Sequence, residues 1–72
     1  MNKNPIIIEF ETHVGLGAMQ AHKLLGLPYP TYAQYKSGRS PLPLCVKRTV
    51  EIVHMLSEKQ LDKAIKEFCY GD

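Results

Sequence analysis

Glycines and prolines divide this chain into short segments, and that division limits what the chain can fold into. The chain has 72 residues, of which five are glycine and five are proline. Proline is tolerated in the first turn of a helix but not further inside it, and glycine favours the left-handed conformation in which many helices end. The placement of these residues therefore favours several short helices joined by tight turns.

The first segment begins with a helix-start signal. Asn4 can cap a helix through its side chain, and Pro5 suits the first helical position, where a backbone N–H is not needed. Apolar residues then recur at intervals of three and four, which places them on one face of a helix that Gly15 ends. The β-branched run at 6–8 also fits a strand, so a strand remains an alternative for residues 6–12. The predicted inner face consists of Ile7, Phe10 and Val14.

A corner built from glycine and proline separates the second and third predicted helices. Residues 18–25 (AMQAHKLL) contain no β-branched residue and end before Gly26, which suits a left-handed helix terminus. Pro28 keeps the following chain extended, and Pro30 belongs in the first turn of a new helix. The corner therefore leads into a third helix over residues 29–37. Its inward-facing residues are predicted to be Tyr32 and Tyr35.

Two further helices complete the predicted fold. Pro43 begins the fourth, and Ser57 with Gln60 matches a capping box at the start of the fifth, over about 58–68. The short connections predict one all-α domain over residues 1–72, a small bundle of about five short helices. Apolar stripes are predicted at Val46, Val50, Val53 and Leu56 on the fourth helix, and at Leu61, Ala64, Ile65 and Phe68 on the fifth.

The sequence lacks the signals of membrane proteins, metalloproteins and several enzyme classes. No apolar run approaches the ~20 residues that span a bilayer, and the run at 6–8 is too short for a signal peptide, so we expect a cytoplasmic protein. Cys45 and Cys69 match no zinc spacing and are too few for a disulfide framework, so no metal or other cofactor is predicted. No nucleophile elbow, P-loop or zinc-protease motif occurs, and we do not expect an enzyme.

Acidic residues are unevenly distributed along the chain. The formal net charge is +2, yet no Asp or Glu occurs from Thr12 to Val50, a segment that holds five of the nine basic residues. The remainder holds all seven acidic residues against four lysines. Such an asymmetry favours one basic face that meets a polyanion. The basic residues of this segment are Lys23, Lys36, Arg39, Lys47 and Arg48.

The stretch from Ala18 to Tyr35 resembles the DNA-binding unit of the phage repressor (Cro/CI-like) helix-turn-helix family. LLGLP at 24–28 is similar to the family's Leu-Gly-hydrophobic-Ser turn. TYAQYKSGRSPLP at 31–43 is similar to its recognition helix and the basic loop that follows. The resemblance extends over about two-thirds of the chain. It implies a helix-turn-helix at about 17–37, in a transcription regulator of Cro or repressor type, of phage origin.

The sequence departs from the family's pattern at five positions. His22 occupies the position of a usual alanine in the first motif helix, and Tyr32 that of an aliphatic residue in the recognition helix. Pro28 replaces the serine that precedes this helix, and Ala18 replaces a glutamine that contacts phosphate. Lys36 replaces a glutamate, and this change favours binding to a polyanion.

The third predicted helix is the candidate for base recognition. An exposed helix has the diameter to enter the major groove, where Gln34 can pair bidentately with adenine and Tyr29 can meet a thymine methyl. Basic and hydroxyl side chains would contact phosphates, which gives affinity without sequence information, and backbone N–H groups at helix starts are further phosphate ligands. The predicted contacts are Tyr29, Pro30, Ala33 and Gln34 to bases, Lys36, Arg39, Ser40 and Lys47 to phosphates, and the backbone at Gly17 and Ala18.

The resemblance also implies a homodimer on double-stranded operator DNA, because members of the family bind two-fold related half-sites about one helical turn apart. The last helix carries more apolar side chain than a small core needs, so we predict that it forms the dimer contact, with packing on its own domain as the alternative. Two other functions stay open: a protein-interaction module or inhibitor that binds a host protein, and an antitoxin that binds DNA and a toxin. The predicted dimer contacts are Leu61, Ile65 and Phe68.

Overall fold

The structure, a computed structural model, describes residues 3–71, and residues 1, 2 and 72 of the predicted domain lie outside this range. Within it the backbone forms five α-helices and no β-strand, which confirms the predicted all-α fold of five short helices. None of these helices is long and apolar enough to cross a membrane. The helices are α1 (Pro5–Val14), α2 (Ala18–Leu24), α3 (Tyr29–Ser37), α4 (Leu44–Met55) and α5 (Glu58–Phe68).

α1 forms where the local signals predict it. Asn4 Oδ1 accepts a hydrogen bond from the Ile6 N–H at 2.9 Å, the capping contact expected of asparagine. Gly15 ends the helix in the left-handed conformation, with φ 71°, and its N–H donates to the Glu11 carbonyl. Residues 6–12 are therefore helical, and the strand alternative is wrong.

The corner between α2 and α3 has the predicted chemistry. Gly26 has φ 71°, and the Leu27 N–H donates to the His22 carbonyl at 3.1 Å, which closes the end of α2. Pro28 is extended (φ −60°, ψ 146°) and directly precedes α3. Pro30 lies in the first turn of α3, where the missing N–H leaves no partner unsatisfied. The corner turns the chain so that α2 and α3 pack against each other.

The connection from α4 to α5 is short, and side chains cap the start of α5. α4 begins after Pro43 as predicted, but Leu56, predicted to continue its apolar stripe, has already left the helix with ψ 144°. The predicted capping box is confirmed: the Gln60 N–H donates to Ser57 Oγ at 3.2 Å, and the Ser57 N–H donates to Gln60 Oε1 at 3.0 Å. Two residues therefore suffice to connect the helices.

α1 lies at the centre of the domain, in contact with α2, α3 and α4, while α5 packs on α2. Most of the predicted inner-face residues are buried, although Tyr35 is only half-buried. On α5 the predicted apolar stripe is half-buried over its first three members, and its last member, Phe68, is 59% exposed. The core residues are Ile7, Phe10, Val14, Ala21, Leu24, Tyr32, Val50, Val53 and Cys69.

Candidate nucleic-acid interface

α3 turns one side away from the core. Tyr29 is 41% exposed, Pro30 and Gln34 are also exposed, and Ala33 is half-buried. We call these four residues the outer face of α3. Tyr32, on the opposite side of the helix, is fully buried. The four residues predicted to contact bases therefore lie together at the surface.

An open depression of about 530 Å³ runs along this outer face. Two basic side chains, those of Lys3 and Arg39, border it, and none of the described residues that line it is acidic. Its lining therefore combines apolar and amide groups with two positive charges, a combination that suits a base edge flanked by phosphates. The lining residues are Lys3, Pro30, Ala33, Gln34, Ser37 and Arg39.

Lys3 is a member of this surface that the sequence reasoning missed. The Asn4 N–H donates to the Lys36 carbonyl at 2.9 Å, so the start of α1 is held against the last turn of α3. This bond also satisfies one of the carbonyls that a helix end leaves without a partner. Lys3 lies outside the acid-free segment, and no local pattern links it to α3, so only the tertiary structure reveals its position.

The loop after α3 folds back onto Gln34. Gly38 has φ 83°, which reverses the chain, and the Arg39 N–H donates to the Gln34 carbonyl at 3.0 Å. The Ser40 hydroxyl donates to Gln34 Oε1 at 3.2 Å. This bond occupies one lone pair of the amide oxygen and leaves the second for another donor. Ser40 thus pre-orients the Gln34 amide, and because its single hydroxyl hydrogen is used in this bond, the structure favours this role over the predicted contact of the Ser40 side chain with phosphate.

A single carboxylate attaches α3 to α1. The Tyr32 hydroxyl donates to Glu11 Oε2 at 2.6 Å, and Lys36 Nζ lies 2.9 Å from Glu11 Oε1. Burial, together with the hydrogen bond to Glu11 and the charge of that carboxylate, raises the pKa of Tyr32 well above its ordinary range. The tyrosine therefore stays neutral and remains a donor. This arrangement fixes the position of α3 from its inner side.

The ion pair with Glu11 changes what Lys36 offers to a ligand. Lys36 was predicted to contact phosphate, but its side chain is only 27% exposed and its charge is balanced by the carboxylate. Arg39, in contrast, is exposed at the border of the depression. Of these two predicted phosphate contacts, Arg39 is the better placed to attract a polyanion.

His22, where the resemblance to the repressor family would imply a smaller residue, makes specific contacts. Its Nδ1 donates to the Leu27 carbonyl at 2.8 Å, across the corner between α2 and α3. The ring also lies edge-on to the ring of Tyr29, with centroids 5.7 Å apart and planes at 73°. His22 therefore supports both the corner and the first residue of the outer face of α3.

The remaining predicted contacts are spread over the surface. Gly17 and Lys47 are exposed, and Ala18 is half-buried. Neither α2 nor α4 has a side-chain cap at its start, so the first backbone N–H groups of these helices have no such partner. None of these three residues lines the depression along α3.

The three predicted dimer contacts on α5 differ from one another. Leu61 and Ile65 are half-buried and pack against the core of their own domain. Phe68 is 59% exposed near the end of the helix. Most of the apolar stripe on α5 therefore serves the fold of its own domain, and its contact with a second copy stays a prediction.

Both cysteines carry free thiols, in different surroundings. Cys45 is exposed at the start of α4, whereas Cys69 is buried and its Sγ donates to the Gln20 carbonyl at 3.3 Å. Burial raises the pKa of the Cys69 thiol, an effect that the nearby Lys23 partly offsets. Over residues 3–71, no group of three or more His, Cys, Asp or Glu side chains is placed to hold a metal ion.

The outer face of α3 thus has two basic residues beside it and is held in place by contacts of Glu11, His22 and Ser40. Comparisons of the chain with protein-family models, with curated proteins and with solved structures found no match.

Proposed function

We propose that this protein is a sequence-specific DNA-binding transcription regulator that acts in the cytoplasm, with α2, the corner and α3 as its helix-turn-helix. The observation that carries the proposal is the exposed outer face of α3, which bears no acidic residue and is bordered by Lys3 and Arg39. An α-helix with side chains is roughly 10–12 Å across, and the major groove is about 12 Å wide, so α3 fits there.

Electrostatics supports DNA as the ligand. Lys3 and Arg39 border the depression on α3, where they would meet phosphates on the rim of the groove. The carboxylate nearest to α3 in the described contacts is Glu11, and it is engaged by Lys36 and Tyr32 on the inner side of the helix. A phosphate backbone would therefore meet positive charge without facing a free carboxylate on this helix.

Rigid support of α3 also favours base recognition. Sequence discrimination needs side chains held in one register, and a surface of loosely placed residues does not provide it. Here Glu11 holds α3 from α1, His22 holds the corner, and Ser40 orients the amide of Gln34. That amide can accept from adenine N6 and donate to N7, the bidentate pairing that distinguishes adenine in the major groove.

The proposal is tested by separating specificity from affinity. Binding sites are selected from random duplexes with the wild-type protein, and binding to selected and random DNA is then measured at several salt concentrations. Gln34→Ala should cost about 1–3 kcal/mol on the selected site and relax the preference at one base pair. Arg39→Ala should weaken binding to both DNAs and lower the salt slope by about one unit per half-site.

The matched control is Lys63→Ala, which removes the same charge from an exposed position on α5. It should leave the salt slope and the base preference unchanged, because α5 carries no part of the depression. If Arg39→Ala and Lys63→Ala have the same effect, binding depends on net charge only and not on α3. If no sequence is enriched from random duplexes, the regulator proposal fails.

A protein-interaction module is the second candidate, favoured by one observation. Met19, Phe68 and Tyr70 are 66%, 59% and 60% exposed, and methionine and aromatic residues are enriched at protein–protein interfaces. This candidate predicts that Phe68→Ser abolishes regulation in cells while Gln34→Ala does not. An antitoxin would need both surfaces, so both substitutions would then impair its activity.

A further inference from the structure

α4 carries an exposed apolar surface on the side opposite the core. Leu44, Ile52 and Met55 are 65%, 58% and 82% exposed. Their spacing of eight and three residues places them on one side of a helix with 3.6 residues per turn. The buried valines at 46, 50 and 53 lie on the other side. With the two charged residues between them, these side chains form what we call the outer face of α4: Leu44, Arg48, Glu51, Ile52 and Met55.

The charges on this face lie between its apolar ends. Arg48 Nη1 and Glu51 Oε2 are 2.9 Å apart, with side chains 67% and 46% exposed. Arg48 stands four residues after Leu44, and Glu51 stands four residues before Met55. Leu44 with Met55 and Arg48 with Glu51 are therefore symmetric in spacing about the middle of α4, and the two charges are opposite across it, whereas the counterpart of Ile52 is Lys47.

We propose that the outer face of α4 binds the same face of a second copy of this chain, as an antiparallel helix pair about a two-fold axis. Such an axis, passing by the middle of α4, places Leu44 opposite Met55 of the second copy and Arg48 opposite Glu51 of the second copy. In a two-fold interface every contact occurs twice, so both charged pairs and both apolar pairs form together. The positions of Arg48 and Glu51 make this face complementary in charge to itself, as a two-fold contact with a second copy needs and an unrelated partner does not.

The size of the face sets the strength of the contact. A helix of 12 residues is about 18 Å long, and one such helix pair buries less than the roughly 800 Å² per partner of a standard stable interface. We therefore expect a monomer–dimer equilibrium that depends on concentration. This self-association of α4 does not depend on DNA binding.

Charge exchange between copies provides the decisive experiment, measured by sedimentation equilibrium without DNA from about 10 μM to about 1 mM protein. Arg48→Glu places like charges opposite each other in its own homodimer, and Glu51→Arg does the same. Each variant alone should dimerise about tenfold more weakly than wild type, or weaker still. An equimolar mixture should recover the dimer, because glutamate at 48 of one copy then faces arginine at 51 of the other. Both variants lose the ion pair within the helix, so only contact between copies explains a recovery.

Further variants test the apolar ends of the face and the alternative interface. Met55→Glu should abolish dimerisation, whereas Phe68→Ser, which changes the exposed end of α5, should leave it unchanged. Circular dichroism verifies that each variant is folded. A wild-type protein that stays monomeric throughout the concentration range overturns the proposal. So does a dimer that survives the α4 substitutions and is lost in Phe68→Ser, since α5 would then be the interface.

Discussion

The hydrogen bond between Tyr32 and Glu11 predicts how far Tyr32→Phe lowers the free energy of unfolding and how this loss depends on pH. Tyr32→Phe removes the hydroxyl that lies 2.6 Å from Glu11 Oε2 and leaves the buried ring in place. A hydrogen bond to a charged group contributes about 1.5–3 kcal/mol. In the variant, Glu11 keeps its ion pair with Lys36. Because the Glu11 side chain is 13% exposed, water can also replace part of the lost hydrogen bond. We therefore expect the free energy of unfolding to fall by about 1–2 kcal/mol at neutral pH.

The pH dependence follows from the raised pKa of Tyr32. Its ordinary value is 10.0, and burial with the neighbouring carboxylate raises the pKa in the folded state well above this. Above about pH 10 the unfolded chain loses this proton while the folded protein keeps it, so stability that is fully present below that pH declines as pH rises. The decline reaches about 1.4 kcal/mol at pH 11. Phenylalanine has no such proton, so the difference between wild type and Tyr32→Phe should shrink by this amount.

Urea unfolding followed by far-UV circular dichroism, at about pH 8 and about pH 11, measures both quantities. Tyr70→Phe is the matched control, because this side chain is 60% exposed, and we expect it to change the free energy of unfolding by less than about 0.5 kcal/mol. Two results would refute the reasoning. A variant as stable as wild type at pH 8 would mean that the bond contributes nothing. A difference that is the same at both pH values would mean that the folded state does not hold Tyr32 neutral.

Two further substitutions test the corner between α2 and α3. Gly26→Val should lower the free energy of unfolding by about 1–3 kcal/mol through backbone strain alone, because φ is 71° and no atom lies within 4 Å of an added Cβ. Gly17→Ala, with φ −83° and equally open surroundings, is the control and should be nearly neutral in thermal melting. His22→Ala should lower the free energy of unfolding by about 1–2 kcal/mol, since it removes the bond to the Leu27 carbonyl and the contact with Tyr29. Unchanged melting of Gly26→Val or His22→Ala would show that these residues do not hold the corner.

The helix boundaries were predictable because their signals are local. Asn4 and Gly15 bound α1, Gly26 and Pro28 mark the corner, and the capping serine at 57 starts α5, each through bonds within a few residues. Such bonds depend on residue type and spacing, which the sequence displays directly. The all-α fold followed from these boundaries and from the periodicity of the apolar residues.

The attachment of α3 was not predictable in the same way. Glu11 meets Tyr32, 21 residues further along the chain, only after α1 and α3 have packed. The same holds for Lys3. It lines the depression because the hydrogen bond from the Asn4 N–H to the Lys36 carbonyl holds the start of α1 beside α3. An apolar stripe indicates which side of a helix faces the core, but not how far along the helix the core extends. For this reason the sequence pattern groups Phe68 with Leu61 and Ile65 on one stripe, although those two are half-buried and Phe68 is 59% exposed.

Because the two cysteines differ in exposure, their reactivity can report on opening of the folded chain. An alkylating reagent attacks thiolates that it can reach, so Cys45 reacts in the folded protein, while Cys69 is shielded and kept protonated. Alkylation of Cys69, measured by mass spectrometry, would therefore report how often the end of α5 separates from α2. A dye attached to Cys45 would sit beside Leu44, at one end of the outer face of α4. One chain thus offers separate covalent probes of opening and of self-association, without an added residue.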